Sequence, residues 1–162
     1  MPIGHISIGS NINKEKNIPS SLIALENEFG ALITSSTYET ESVGFAGANF
    51  FNLIAVFNSK LPVKTIGKRL KRIEVEHGRV HGGHKFEART LDLDLILYGD
   101  LIISEGRLQI PRDEITHYAF VLEPLAEISP DLRHPVSNLK YSNLWESFDK
   151  SDLKRHKIET SS

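Results

Sequence analysis

The segment Thr90–Tyr98 (TLDLDLILY) carries the residue pattern with the most obvious chemical use. Side chains alternate along a β-strand, so Leu91, Leu93 and Leu95 point one way while Asp92 and Asp94 point the other. Two carboxylates on one strand face, about 7 Å apart at Cα, suit a hard cation such as Mg²⁺. That ion takes oxygen ligands, keeps several waters, and binds through one or two carboxylates plus substrate phosphates. A bare D-x-D is equally what a solvated strand face looks like. Aspartate is disfavoured inside strands, however, and two neighbouring ones repel unless a cation relieves them.

Immediately upstream, residues 79–89 hold Arg79, Lys85 and Arg89 against Glu87, three cations less one anion, with His81 and His84 added. Gly78, Gly82 and Gly83 would let this stretch open and close over a ligand. Alone it reads as a mobile exposed loop. Directly before a carboxylate strand it reads as half of a polyphosphate clamp, Mg²⁺ on one side and arginines on the other. On the preceding helix Lys71, Glu74 and Glu76 are residues of the ordinarily solvated type, with Glu74 directed toward the same end. His81 and His84, with His77 nearby, raise a zinc reading that lacks a confirmed third ligand. No G-x-x-x-x-G-K-[ST], no G-x-G-x-x-G after a strand and no G-x-S-x-G occurs, which argues against a P-loop, a dinucleotide cofactor and a serine nucleophile.

A second constellation is aromatic and amide. Phe50 and Asn52 share one face of an apolar strand, and an amide offers both a donor and an acceptor to the edge of a heterocycle. Phe120, at the start of FVLEPL, could stack from the opposite side. Phenylalanine is usually core, but a buried Asn needs partners.

The elements that would position these groups follow from periodicity. Ile3–Ile8 alternates as a strand and stops at the turn cluster Gly9-Ser10-Asn11. A helix opens with Pro19 in its first turn, carries Ile18, Leu22, Leu25 and Phe29 on one face, and ends at Gly30. Ala31–Thr40 reads as a strand, Gly44–Asn49 as a loop, and Phe50–Asn58 as a strand. Val63, Ile66, Leu70, Ile73 and His77 recur at helical spacing from Pro62 onward. With the Asp strand, the order is β-α-β-β-α-β, the α+β ferredoxin-like core, whose helices cover one sheet face and leave the other for ligand or further layers. A hairpin over Leu101–Ile110 follows, then helices over Ala119–Ile128 and Leu139–Phe148, and a polar tail from Lys150 expected to fray. All 162 residues read as one domain.

Composition narrows the function classes. Nineteen Lys and Arg against 21 Asp and Glu give a formal charge of −2, so no large basic field exists for nucleic acid. Forty per cent apolar and 25% charged residues are globular proportions, without a run long enough to span a membrane. The N-terminal MPIGHISIGSNINKEKN lacks the basic and apolar regions of a secretory signal. Cysteine is absent, which excludes thiol chemistry and disulfides. The expectation is a cytoplasmic protein working with carboxylates, arginines and amides.

Ile6–Asn11 (ISIGSN), Ile73–Val80 (IEVEHGRV), Arg89–Asp100 (RTLDLDLILYGD) and Phe120–Pro135 (FVLEPLAEISPDLRHP) together resemble the 6-hydroxymethyl-7,8-dihydropterin pyrophosphokinases of folate biosynthesis. The resemblance runs from about Ile3 to Pro135, with the R-T-L-D-L-D segment its most specific part. It implies a monomer that moves the β,γ-pyrophosphoryl group of ATP onto the pterin hydroxymethyl oxygen and releases AMP, without a covalent intermediate. It also implies two Mg²⁺ ions on Asp92 and Asp94 bridging the ATP phosphates. Arg79 and Arg89 then meet the phosphates, joining the aspartates as catalytic residues. Lys71, Glu74, Phe86, Leu95, Arg107 and Arg112 fall on the nucleotide side, Phe86 closing over the site. Phe50 and Phe120 sandwich the pterin, Asn52 reads its edge, and Thr40 and Val43 line its pocket.

Several positions depart from the family pattern. Ile110-Pro111-Arg112-Asp113 stands where I-P-H-P is usual, and Tyr118 where an arginine precedes F-V-L. His81 replaces a second loop arginine, Ala88 a proline, and Glu41-Ser42 a common Pro-Pro pair. Arg112 could supply the charge usually given by the histidine. Two other readings accommodate the same residues. One is a diverged paralogue acting on another heterocyclic alcohol. The other is a non-catalytic ferredoxin-like module, for instance for RNA, which the net charge and the Asp pair oppose.

Overall fold

The computed structural model describes residues 1–41, 48–78 and 91–151, and the backbone of 155–158. In chain order the elements are β1 (Ile3–Ser10), α1 (Lys14–Phe29), β2 (Ile33–Thr34), β3 (Thr37–Thr40), β4 (Phe50–Asn58), α2 (Val63–Glu76) and β5 (Asp92–Tyr98). There follow β6 (Ile103–Glu105), β7 (Leu108–Ile110), α3 (Glu114–His117), α4 (Ala119–Ile128), α5 (Tyr141–Ser147) and β8 (Arg155–Ile158). The main sheet runs β5-β1-β4-β3-β8, antiparallel throughout, with β2 also on β4. With β2 and β3 counted as one interrupted strand, the core is βαββαβ in the spatial order fourth, first, third, second, which is the ferredoxin-like arrangement.

Three local differences from the sequence reading have physical causes. The expected strand 31–40 is divided at Ser35. That residue's N–H donates to the Ile54 carbonyl at 2.9 Å, and its hydroxyl accepts the Ile54 N–H at 2.9 Å, so a side chain substitutes for a backbone partner. Helix α1 begins at Lys14, which places Pro19 inside it rather than in its first turn. Asn13 turns the chain in the left-handed region (φ 47°) that Asn tolerates, and its carbonyl accepts from Lys16 and Asn17. The acceptor that Pro19 leaves without a helical donor is the Glu15 carbonyl in the first turn. Finally, the polar tail does not simply fray: the backbone of 155–158 pairs with β3 from Thr37↔Ile158 to Thr40↔Arg155. Such a strand satisfies an otherwise open sheet edge through backbone groups alone, which needs no apolar signature.

The first sheet face packs Ile6, Ile8, Leu53, Ala55, Phe57, Leu91, Leu93 and Leu95 against Ile18 and Leu25 of α1 and Ile66, Leu70 and Ile73 of α2. A bulge on β5 then changes the parity. His5 faces Leu97 and Ile6 faces Leu95, so Ile96 is an extra residue. Beyond it Ile96 and Leu97 join the other face, where they pack with Ile54 against Val121, Leu122, Leu125 and Tyr141. The second face is therefore covered by a helical layer over one half. The Glu127 carboxylate on α4 accepts from Ser36 N–H at 2.9 Å and from the Tyr38 hydroxyl, while His5 and Ser129 pair at 3.0 Å. The remaining half of that face carries the polar residues. Among the described residues, no helix is long and apolar enough to cross a membrane.

Candidate active site

Register brings the two constellations together on the second face. Gly9 on β1 pairs with Asp92 on one side and Asn52 on the other; one step along, Ser7 lies between Asp94 and Ile54. Strands are about 4.8 Å apart, so Asp92 and Asn52 are about 10 Å apart across one strand. Glycine at this position leaves room for the Asn52 amide and the Phe50 ring. A Cβ at position 9 would lie 3.1 Å from Asn52 Oδ1 and 3.9 Å from a Phe50 ring carbon. The strand expected to stop at Ile8 continues through Gly9 to Ser10, and so a glycine whose sequence context marks only a turn stands at the centre of the site.

On the amide side, Asn52 is 5% exposed and its Nδ2 donates to Thr40 Oγ1 at 2.8 Å, on the neighbouring strand. Thr40 thus orients the amide. The chain entering β4 is tied down by Asn11 Nδ2 to the Ala48 carbonyl (3.1 Å) and Lys14 Nζ to the Asn49 carbonyl (2.8 Å). Phe50 and Phe120 are both half-buried. Phe120 stacks on Tyr118 with ring centroids 5.0 Å apart and planes at 23°. The departure from arginine at position 118 therefore extends an aromatic surface.

On the carboxylate side, Asp92 and Asp94 alternate with buried Leu93 and Leu95 and remain half-buried. The Asp94 carboxyl is raised to about 8, chiefly by burial and then by Asp92; Arg112 opposes the shift, and Glu74 and Glu114 add to it. Two acids this crowded, one held well above the usual carboxylate range, form a donor set that a divalent cation would relieve. Among the described residues, no three His, Cys, Asp or Glu side chains are arranged to hold a metal. A cation there would need further ligands from solvent or substrate, which is how Mg²⁺ ordinarily binds.

The other expected site residues divide. Glu74 is 4% exposed, and its Oε2 accepts the Leu93 N–H at 2.7 Å, so it secures the strand of the Asp pair from within the protein. Arg112 is tied to β5 two residues beyond Asp94, its N–H donating to the Ile96 carbonyl at 3.1 Å, and its Nε is bonded to Glu114 Oε2 at 2.8 Å. Glu114 was not singled out from sequence, because only the fold brings it to the acid pair. Leu95 is 8% exposed in the core between the sheet and α1 and α2, so its side chain faces away from the aspartates. Lys71 is exposed on α2. Arg107 is exposed in the β6–β7 turn, where Glu105 pairs with Lys64 at 3.5 Å. Lys64 and Glu74 are ten residues apart on α2, about 15 Å along the helix, so this turn docks at the opposite end from Glu74. Val43, Arg79, Phe86 and Arg89 lie outside the described residues, as do Ser42, His81, His84, Lys85 and Ala88.

Residues 5–130 match the model of the 7,8-dihydro-6-hydroxymethylpterin-pyrophosphokinase family. The chain is 34% identical over 135 residues to a 2-amino-4-hydroxy-6-hydroxymethyldihydropteridine pyrophosphokinase of Pseudomonas aeruginosa, covering 81% of this chain and 83% of that one. It is also 34% identical to the folic acid synthesis protein fol1 of Pneumocystis carinii, over 93% of this chain and only 20% of the fungal protein. The crystal structure of wild-type Plasmodium falciparum HPPK-DHPS with SDX-DHP superposes with a TM-score of 0.70 at 15% identity, over 90% of this chain and 43% of that one. The chain thus spans a fifth of the fungal relative, less than half of the malarial one, and most of the bacterial one. The match takes in the Asp strand, the amide strand and the aromatic start of α4, and on that ground the chain belongs to the 7,8-dihydro-6-hydroxymethylpterin-pyrophosphokinase family.

Proposed function

We propose that this chain transfers the β,γ-pyrophosphoryl group of ATP to the hydroxymethyl oxygen of 6-hydroxymethyl-7,8-dihydropterin, releasing AMP, and acts as a monomer in the cytoplasm. The observation that carries the reading is the row Asp92–Gly9–Asn52, which sets a carboxylate of the acid pair and a buried amide on one face about two strand spacings apart.

Asp92 and Asp94 would hold a pair of Mg²⁺ ions, whose part when bound is to neutralise phosphate charge and polarise the phosphoryl group. The chain's own residues do the rest. Asn52, oriented by Thr40, reads the edge of the pterin, with Phe50 and Phe120 against its faces and Val43 lining the pocket. Arg112 offers its guanidinium to the phosphates, joined by Arg79 and Arg89, with Phe86 closing over the reactants. Lys71, Glu74 and the backbone of Leu95 complete the nucleotide side, Glu74 acting by holding the strand at Leu93, while Arg107, expected there from the resemblance, sits in the turn at the far end of α2. Two reactants held in line need no nucleophile from the protein, and exclusion of water protects ATP from hydrolysis.

Incubation with ATP, Mg²⁺ and hydroxymethyldihydropterin tests the proposal through the nucleotide product. AMP formed in step with pterin diphosphate supports it; ADP, or AMP formed equally without the pterin, refutes it.

A further inference from the structure

Arg112 is fixed to β5 through its backbone: its N–H donates to the Ile96 carbonyl at 3.1 Å, two residues beyond Asp94. Its side chain is held at one point, Nε to Glu114 Oε2 at 2.8 Å. Residues two apart on a helix do not face each other, and the contact forms because Arg112 precedes α3 while Glu114 opens it. Glu114 is itself rigidly placed. Its carbonyl accepts the Tyr118 N–H at 3.0 Å, and the next residue, Ile115, is fully buried beneath α4. The adjacent acid Asp113 is occupied elsewhere, accepting from Gln109 Nε2 at 3.0 Å. The paired side chains remain partly open, 28% exposed for Arg112 and 17% for Glu114. The positive charge of Arg112 opposes the rise of the Asp94 carboxyl that burial, Asp92, Glu74 and Glu114 produce. A guanidinium bound through Nε keeps both terminal nitrogens for a second, bidentate partner, which is the geometry phosphate oxygens accept.

We infer that Glu114 is a positioning residue, locking the Arg112 guanidinium in one orientation beside Asp92 and Asp94, so that Arg112 and Glu114 work as one unit in holding the nucleotide phosphates. The inference rests on the reading of the Asp92–Asp94 face as the ATP side. It has an unusual directional consequence. Removing an anion near a polyphosphate ought, by charge alone, to tighten nucleotide binding; removing a positioning anion loosens it.

A double-mutant cycle of Glu114→Ala and Arg112→Lys, read as the calorimetric Kd for Mg²⁺-ATP, decides between the two. Each single variant is expected to weaken binding about tenfold, the scale of a lost charge-assisted contact. The double variant should be no weaker than the worse single, and the KM for the pterin should stay within twofold of wild type. Tighter or unchanged ATP binding in Glu114→Ala, or losses that multiply in the double variant, would overturn the inference. If Glu114→Ala does not fold, Glu114→Gln takes its place in the cycle with the same criteria, a weaker but non-multiplying loss being expected. A wild-type protein that binds Mg²⁺-ATP but forms no AMP would refute the proposed reaction, while the cycle would still decide the role of Glu114.

Discussion

Replacing Asp94 with Asn separates the cost of the acid pair from its use. The carboxylates of Asp92 and Asp94 project from Cα atoms about 7 Å apart, and two unit charges at that distance repel by about 0.6 kcal/mol at an effective dielectric of 80 and about 2.4 kcal/mol at 20. The Asp94 carboxyl is raised from 3.8 to about 8, with burial the leading cause. Because the folded-state value lies above the unfolded one, the native protein holds a proton that the unfolded chain releases. Wild-type stability is thus present below about pH 4 and lost as pH rises toward 8. Asn carries no charge to lose. We therefore expect Asp94→Asn to melt close to wild type at pH 4 and higher at pH 9, by about 1–2 kcal/mol, inside the repulsion range. At this chain length that is roughly 2–8 °C. Mg²⁺-ATP should raise the melting temperature of wild type and not of the variant, and AMP-forming turnover should fall by about a hundredfold or more, the scale of losing a transition-state charge stabiliser. A variant that melts no higher than wild type at pH 9, or that keeps a tenth of its turnover, would refute the reasoning that the pair is strained without a cation and needed with one.

Three further expectations follow from the same geometry. Mg²⁺-ATP binding at pH 7 should release a proton, seen as a dependence of calorimetric enthalpy on buffer ionisation, and affinity should rise with pH until it levels off above about 8, where Asp94 is already ionised; no release at pH 7 would contradict the raised carboxyl. Gly9→Ala places a methyl 3.1 Å from Asn52 Oδ1, so the amide must shift; the KM for the pterin should rise about tenfold or more while that for ATP changes little, and equal effects on both would count against an amide that reads the ring. Glu74→Ala leaves the buried Leu93 N–H without its 2.7 Å acceptor; a loss of about 1–3 kcal/mol in denaturant unfolding is expected, and a stability unchanged within error would show that the contact is not holding the strand.

Much of the fold was legible because its signals are local. The apolar stripe Ile66, Leu70, Ile73 marked α2, and the alternation through Leu95 marked the first half of β5; both stand in the structure. What escaped depended on contacts between distant segments. The polar Lys14-Glu15-Lys16 has no apolar period to announce the start of α1, and β8 joins the sheet through backbone pairing. Ser35 breaks its strand only because Ile54 lies opposite. The helical layer over half of the second face could be allowed for but not placed.

The same division runs through the site. Residue type and period-two spacing were enough to mark Asp92 with Asp94 as a pair, and Phe50 with Asn52 as another, because both relations lie within single strands. That Gly9 separates the two pairs, and that Glu114 grips Arg112 near the acids, were decided by strand register and by the chain's return along β5 after β7. Local order sets which residues share a face; only long-range pairing sets which faces meet, and the chemistry proposed here needs both.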